Sequence, residues 1–327
     1  MIKRLGCILL LAVSACRPGP VERVTIPPGA SLSRVADSLA AHGVITCRPC
    51  FKLVARLRGM ERSAQAGVYE LPRAAGNWRA LTALQEGHVL AVRFTVPEGI
   101  TLWDLADLAQ EHLGIPSDSV LLAATDAGAA DTLLREEGFE GYLLPETYDI
   151  PAQTRAPELI RLMVQEFLHR WEPAWTARLD TLRLSRRQLL ALAAIVEGEA
   201  RHDEERPVIA GVYWNRLRAG IALQADPTVQ YAIEARTGER KPRLFYKDLE
   251  IESPYNTYLH SGLPPGPINS PGLASIKAAL YPATVPFLYF VATPDGHHLF
   301  TRTLEEHEKA VATARRLRKA QENATKP

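Results

Sequence analysis

The chain has 327 residues, with 38 basic and 37 acidic side chains, a formal net charge of +1. That balance offers no basic excess for a nucleic-acid partner. With 46% hydrophobic and 23% charged residues, the composition is that of a globular protein long enough for about two domains.

The opening "MIKRLGCILLLAVSACRPGP" has a basic start at Lys3 and Arg4, then an apolar stretch from Leu5 to Ala15. That stretch is shorter than the roughly 20 residues a membrane-spanning helix needs, so residues 1–15 read as a secretory signal peptide. Val13-Ser14-Ala15-Cys16 resembles a bacterial lipobox, which makes Cys16 the expected lipidation site and residues 16–22 an anchor linker. Simple cleavage with Cys16 incidental is the alternative. Cys47 and Cys50 form a C-x-x-C in a chain addressed to an oxidising compartment, and they read as a local disulfide rather than a redox pair, because no convincing βαβ pattern surrounds them.

From residue 23 a theme of strand, turn and helix appears three times: around 23–45, 66–87 and 92–114. Ile26-Pro27-Pro28-Gly29 and Val96-Pro97-Glu98-Gly99 are near copies, and Ser31 and Thr101 then stand where a helix N-cap is needed. Small β-α units of this kind resemble LysM modules, which bind aminosugar chains. A packing scaffold without a ligand is the competing reading, since no aromatic platform is apparent. Residues 116–137 read as a helical connector, and residues 138–151 as a loop or short strand.

In the second half, a helix is expected over about 155–180. Another should run from about 186 to 200, opened by a Ser185/Gln188 capping box. A helix follows from Asp203 to about Gly220, and others start near Pro227 and after Ser270. A hairpin turns at Pro294-Asp295-Gly296, and a Thr303/Glu306 capping box opens the last helix. The fold class expected is therefore α+β: a LysM-like β-α region over 23–115, then a mainly helical domain with a small sheet over 138–327.

The stretch "AAIVEGEA" ends an apolar helix face on Glu197 and Glu199. A general acid at neutral pH must keep its proton. Apolar neighbours Ala193 to Val196 and the negative end of the helix dipole both disfavour charge at Glu197. Glu199 lies two residues on, about 200° around the helix, so the two acids cannot share a face. Two solvent-facing acids on a fraying helix end remain the plainer reading of the pattern. Loops carrying Tyr148, Tyr255, Asn256 and Tyr258, with Gln224, Asp226 and Thr228, combine flat apolar faces with polar tips suited to carbohydrate. Asp226 beside Pro227 also fits a helix cap. No metal site is expected: His297 and His298 are adjacent on a strand, His202 has only loop neighbours, and no H-E-x-x-H occurs.

Several stretches together resemble the YceG-like family of endolytic murein transglycosylases: "EGYLLPETY" (140–148), "AAIVEGEA" (193–200), "ERPVIAGVYWNRLRAGIALQADPTVQY" (205–231), "SPYNTYLHSGLPPGPINSPGLASIKAALYPA" (253–283) and "LYFVATPDGHHLFTRTLEEHEKAV" (288–311). The resemblance implies cofactor-free cleavage of MurNAc–GlcNAc β-1,4 bonds within peptidoglycan strands to give 1,6-anhydro ends. It implies that Glu197 is the catalytic acid, with Glu199 in support. It further implies a membrane-anchored protein facing the periplasm or cell exterior, with a penicillin-binding protein or other cell-wall synthase as partner. A water-using hydrolase and a non-catalytic peptidoglycan-binding scaffold are the rivals. The lipobox-like start and the Cys47/Cys50 pair depart from the family pattern, which usually has one transmembrane helix.

Overall fold

The computed structural model describes residues 19–27, 29–60, 66–125 and 138–324. The signal segment, Cys16 and residues 126–137 of the connector lie outside them. Two compact units are present: residues up to Val92 with Ile150–Gln153, and Arg93–Asp149 with the chain from Thr154 onward.

The first unit holds β1 (Val21–Ile26), α1 (Leu32–Ala41), α2 (Arg48–Leu57), β2 (Gly67–Pro72) and α3 (Gly76–Glu86). β1 and β2 pair antiparallel, with Val21 opposite Pro72 and Ile26 opposite Gly67. The alternation of β1 buries Val24 and Ile26 on one face. Leu39, Phe51, Tyr69 and Leu81 close over them as a core. Ser31 caps α1 by accepting the Arg34 N–H. Cys47 and Cys50 are joined by a disulfide in the first turn of α2.

The chain then forms β3 (Ala91–Thr95), α4 (Leu102–Leu113), α5 (Ser117–Thr125) and β4 (Thr147–Pro151). The third strand–helix pair was expected within the N-terminal region to residue 115; from Arg93 onward it belongs to the second unit instead. Thr101 caps α4 through the Asp104 N–H, and its own hydroxyl donates to the buried Glu234.

The single helix expected over 155–180 is two: α6 (Ala156–Arg170) and α7 (Pro173–Leu182). Pro173 cannot continue the hydrogen-bond ladder of α6 and starts α7 instead. α8 (Arg186–Glu199) has the Ser185/Gln188 capping box, and all its residues from Leu189 to Val196 are buried. It is therefore the central helix of the unit, with α9 (Arg206–Ala219), α10 (Asp226–Thr237) and α11 (Leu273–Leu280) packed on it. Asp203–Glu205 form a short 3₁₀ turn, so the helix expected from Asp203 starts at Arg206. It ends on Gly220, whose φ of +66° is the left-handed stop that glycine adopts without strain. The hairpin of β5 (Tyr289–Ala292) and β6 (His298–Thr301) and the last helix α12 (Leu304–Ala324) complete the unit. Among the described residues no helix is long and apolar enough to cross a membrane.

Candidate active site

Because α8 is buried all round, its C-terminal end delivers Glu197 and Glu199 into packed surroundings rather than to a fraying surface. Gly198 makes this possible: a Cβ there would come within 2.8 Å of the Pro227 ring of α10. The two acids point to opposite sides, as the helical angle requires.

Glu197 enters an ion-pair network. Its Oε1 lies 3.0 Å from Arg206 Nη1, and its Oε2 accepts the Gly272 N–H at 3.0 Å, at the N-terminus of α11. Both side chains are almost fully buried. The same guanidinium donates to Asp203 at 3.0 Å and to the Ser275 hydroxyl at 2.7 Å, and Glu98 stands 3.7 Å away. Burial, and then the Glu197 charge, push the Glu98 carboxyl above its ordinary range against the pull of Arg206. The Arg206 guanidinium is held even more firmly charged than usual, because the Glu197 and Asp203 carboxylates outweigh its desolvation. Both oxygens of Glu197 are thus engaged by donors.

Glu199 faces an open cavity of about 420 Å³. Its Oε1 accepts a hydrogen bond from the Tyr213 hydroxyl at 3.1 Å. Burial pushes its carboxyl up to about 7; the Asp226 charge adds to this, while Tyr213 and Arg216 oppose it. At neutral pH this acid is therefore substantially protonated. Across the cavity stand Gln224, Asp226 and Tyr258, and the Tyr258 hydroxyl donates to Asp226 at 2.7 Å. Gln224 takes φ +52°, a left-handed conformation costly for a residue with a side chain. Its N–H is fixed to the Thr257 carbonyl. Arg216 is committed to structure: it donates to the Leu288, Ala222 and Leu223 carbonyls and so ties the hairpin to the loop before α10.

Of the substrate-binding residues named from sequence, Glu199, Gln224, Asp226 and Tyr258 come together. Asp226 is not the expected cap of α10; Ala225 holds that position, leaving the Asp226 carboxylate to the cavity. Thr228 and Asn256 are buried framework. Thr228 bonds the Ala225 carbonyl and the Thr257 hydroxyl, and Asn256 donates to the Leu249 and Ile251 carbonyls. Tyr148 is buried with its hydroxyl donating to the Leu144 carbonyl. Tyr255 packs on Tyr231, ring centroids 4.8 Å apart, rather than lining this cavity. Sequence reading missed Arg206, Tyr213 and Glu98. No spacing rule pairs an acid at the end of one helix with an arginine beyond a loop; here the pairing comes from the turn between α8 and α9.

Glu140 is a further raised acid, pushed up to about 8 by burial; it accepts the Leu102 N–H at the start of α4 and does not line the cavity. His202 has loop neighbours: it stacks at 3.8 Å on His297, which precedes β6, and its Nε2 lies 3.2 Å from the Asp295 carbonyl oxygen. With Glu204 these imidazoles bring donor atoms within 4.8 Å of one another. Rings stacked within 8° of parallel aim their in-plane lone pairs alongside each other, not at one point. His298, the first residue of β6, is buried with Nδ1 2.7 Å from one oxygen of Glu205, and His297 Nδ1 lies 3.4 Å from the other, so the pair converges on one carboxylate rather than facing opposite ways as adjacent strand residues would.

Helix α8 thus ends in one buried, ion-paired acid and one acid whose carboxyl burial pushes up to about 7 beside a polar cavity. The sequence matches the YceG-like family over residues 24–313, and the chain belongs to that family. It is 33% identical, over 89% of its length and 86% of the relative's, to a Bacillus subtilis protein named endolytic murein transglycosylase. It is 30% identical to a Streptococcus pneumoniae protein of the same name, of whose longer chain it spans 57%. Among solved structures it is similar to a YceG-like protein of Listeria monocytogenes, with a TM-score of 0.60 and 34% identity over 88% of this chain and 98% of that one.

Proposed function

We propose that the protein is an endolytic peptidoglycan lytic transglycosylase, with Glu199 rather than Glu197 as its catalytic acid. One observation carries the choice: the Glu199 carboxyl holds its proton near neutrality and opens on the cavity shared with Gln224, Asp226 and Tyr258. Protonated Glu199 gives its proton to the glycosidic oxygen between MurNAc and GlcNAc as the C1–O bond breaks. The resulting carboxylate then takes the proton of the sugar's own C6 hydroxyl, and that oxygen bonds to C1. The product is a 1,6-anhydro end, with no water consumed. The internal nucleophile makes the second step intramolecular, so one acid suffices. Asp226, held by Tyr258, faces the cationic character that develops at C1 and stabilises it. Glu197, locked to Arg206 and Gly272, fixes the end of α8 and so positions Glu199.

A second carboxylate in the same cavity also favours a hydrolase, in which Asp226 would activate water or act as nucleophile. The two readings differ by one water in product mass. Digestion of purified sacculi followed by mass spectrometry should give anhydro-muropeptides from the wild type and none from Glu199→Gln; products with reducing ends would establish the hydrolase. The LysM-like character of the first unit, lipid anchoring at Cys16, the periplasmic or extracellular location and a synthase partner belong to this proposal. They are supported by the strand–helix units, by the start of the sequence and by the substrate its relatives are named for.

A further inference from the structure

In the first unit, α2 buries Phe51 and Ala55 in the core and turns its other side to solvent. That outer side carries two rows at four-residue spacing. Arg48, Lys52 and Arg56 form one; Pro49, Leu53 and Leu57 form the next. Leu53 is 60% exposed and Leu57 79%, so neither adds to the core. From Cys47 to Met60 the sequence has the cations Arg48, Lys52, Arg56 and Arg58 and no acid. Asp37 pairs with Arg48 at 3.1 Å. A serine hydroxyl, Ser33, and an indole face, Trp78, hold Lys52 and Arg58 without cancelling their charge.

The face is therefore cationic and apolar at once. Leucines flanked by long cationic side chains suit the boundary of a bilayer: the leucines enter the acyl edge while the charged heads reach lipid phosphates. The leucines also separate a bilayer from other polyanions, because a hydrated polymer gives them nothing apolar to enter.

The position of α2 in its unit agrees. The Arg73 N–H donates to the Pro20 carbonyl, the Ala74 N–H to Gly43 and the Gly76 N–H to Val44. Residue 20, where the chain enters the unit, thus lies at the same end as the segment leading into α2. An extended chain from Cys16 to Val21 spans at most about 17 Å. A lipid on Cys16 would hold this end of the unit close to the headgroups, where even a weak face engages its surface.

We infer that the Leu53/Leu57 face of α2 docks on an anionic lipid surface and orients the first unit against it. Which membrane surface this is rests on the export and anchoring proposed above; the affinity of the face does not.

The test uses the full chain carrying Cys16→Ser, so that no acyl group contributes. It should cosediment with vesicles of phosphatidylcholine mixed with phosphatidylglycerol, more than with pure phosphatidylcholine, and less at high salt. Leu53→Asp/Leu57→Asp should weaken this partition roughly tenfold. Leu122→Asp, at an exposed leucine of the second unit, should leave it unchanged. Lys52→Gln/Arg56→Gln should remove the preference for the anionic vesicles, and it decides the matter should the leucine variant lose its thermal transition. No binding to anionic vesicles, or binding kept in both double variants, overturns the proposal. So does an equal loss in Leu122→Asp. Retention on purified sacculi that depends on Leu53 and Leu57, without vesicle binding, would make this a wall-polymer face and overturn it too. The anchor is read separately, from the mass of the wild-type N-terminus: an unmodified Cys16 sinks the lipid anchor, and the vesicles still judge the face.

Discussion

Glu197 and Glu199 are separated by a single glycine, yet their surroundings give them different chemistry. Glu197 meets a guanidinium and a backbone amide; Glu199 meets a phenol, a neighbouring carboxylate and an open cavity. A proton donor works only while protonated, so turnover should fall as pH rises through about 7, the value to which burial pushes Glu199. Tyr213→Phe removes a hydrogen bond that favours the charged form of Glu199, so this alkaline limb should move to higher pH. A kcat–pH profile of the variant checks it, and a limb that moves downward contradicts the assignment. Stability carries the same signature. A carboxyl raised in the folded state contributes stability below its ordinary value that is lost as pH rises through about 7. Glu199→Gln does not titrate, so its Tm should exceed that of the wild type by more at pH 8.5 than at pH 5.

Among the elements, α8 has to end at a fixed place and in a fixed direction. Its N-terminus is set by the Ser185/Gln188 box, and its C-terminus by Glu197 gripping Arg206 and the α11 amide. Ser185→Ala should cost about 1 kcal/mol, the usual worth of an N-cap, with little change in activity. Arg206→Met strands the buried Glu197 carboxylate, and removing one partner of a buried pair costs about 3–5 kcal/mol. Urea unfolding of the two variants should rank them in that order. The Arg206 variant should also lose turnover through misplacement of Glu199.

Across the molecule, the chain divides into two compact units. The Cys47–Cys50 disulfide closes a very short loop in α2, for which chain-entropy arguments give about 2 kcal/mol. A Cys47→Ser/Cys50→Ser double variant should lose amide-exchange protection in α1 and α2 while protection in α8 and α11 is kept. Equal loss in both units would contradict their division into separate compact bodies.

The order of residues alone was enough for the caps at Ser31, Thr101 and Ser185, the strand–turn–helix units, the α8 boundaries and the opposite headings of Glu197 and Glu199. All of these follow from local rules: side chains that satisfy free amides, turn residues, and the angle per residue of a helix. The stretches between 140 and 311 were also enough to point to the family. That burial raises the Glu199 carboxyl, and that Glu197 is gripped by a guanidinium, came only from the folded chain. Desolvation and ion pairing depend on groups brought from elsewhere: Arg206 and Gly272 on one side, Tyr213 and Asp226 on the other. A run of apolar neighbours along the chain says nothing of the guanidinium that folds onto Glu197.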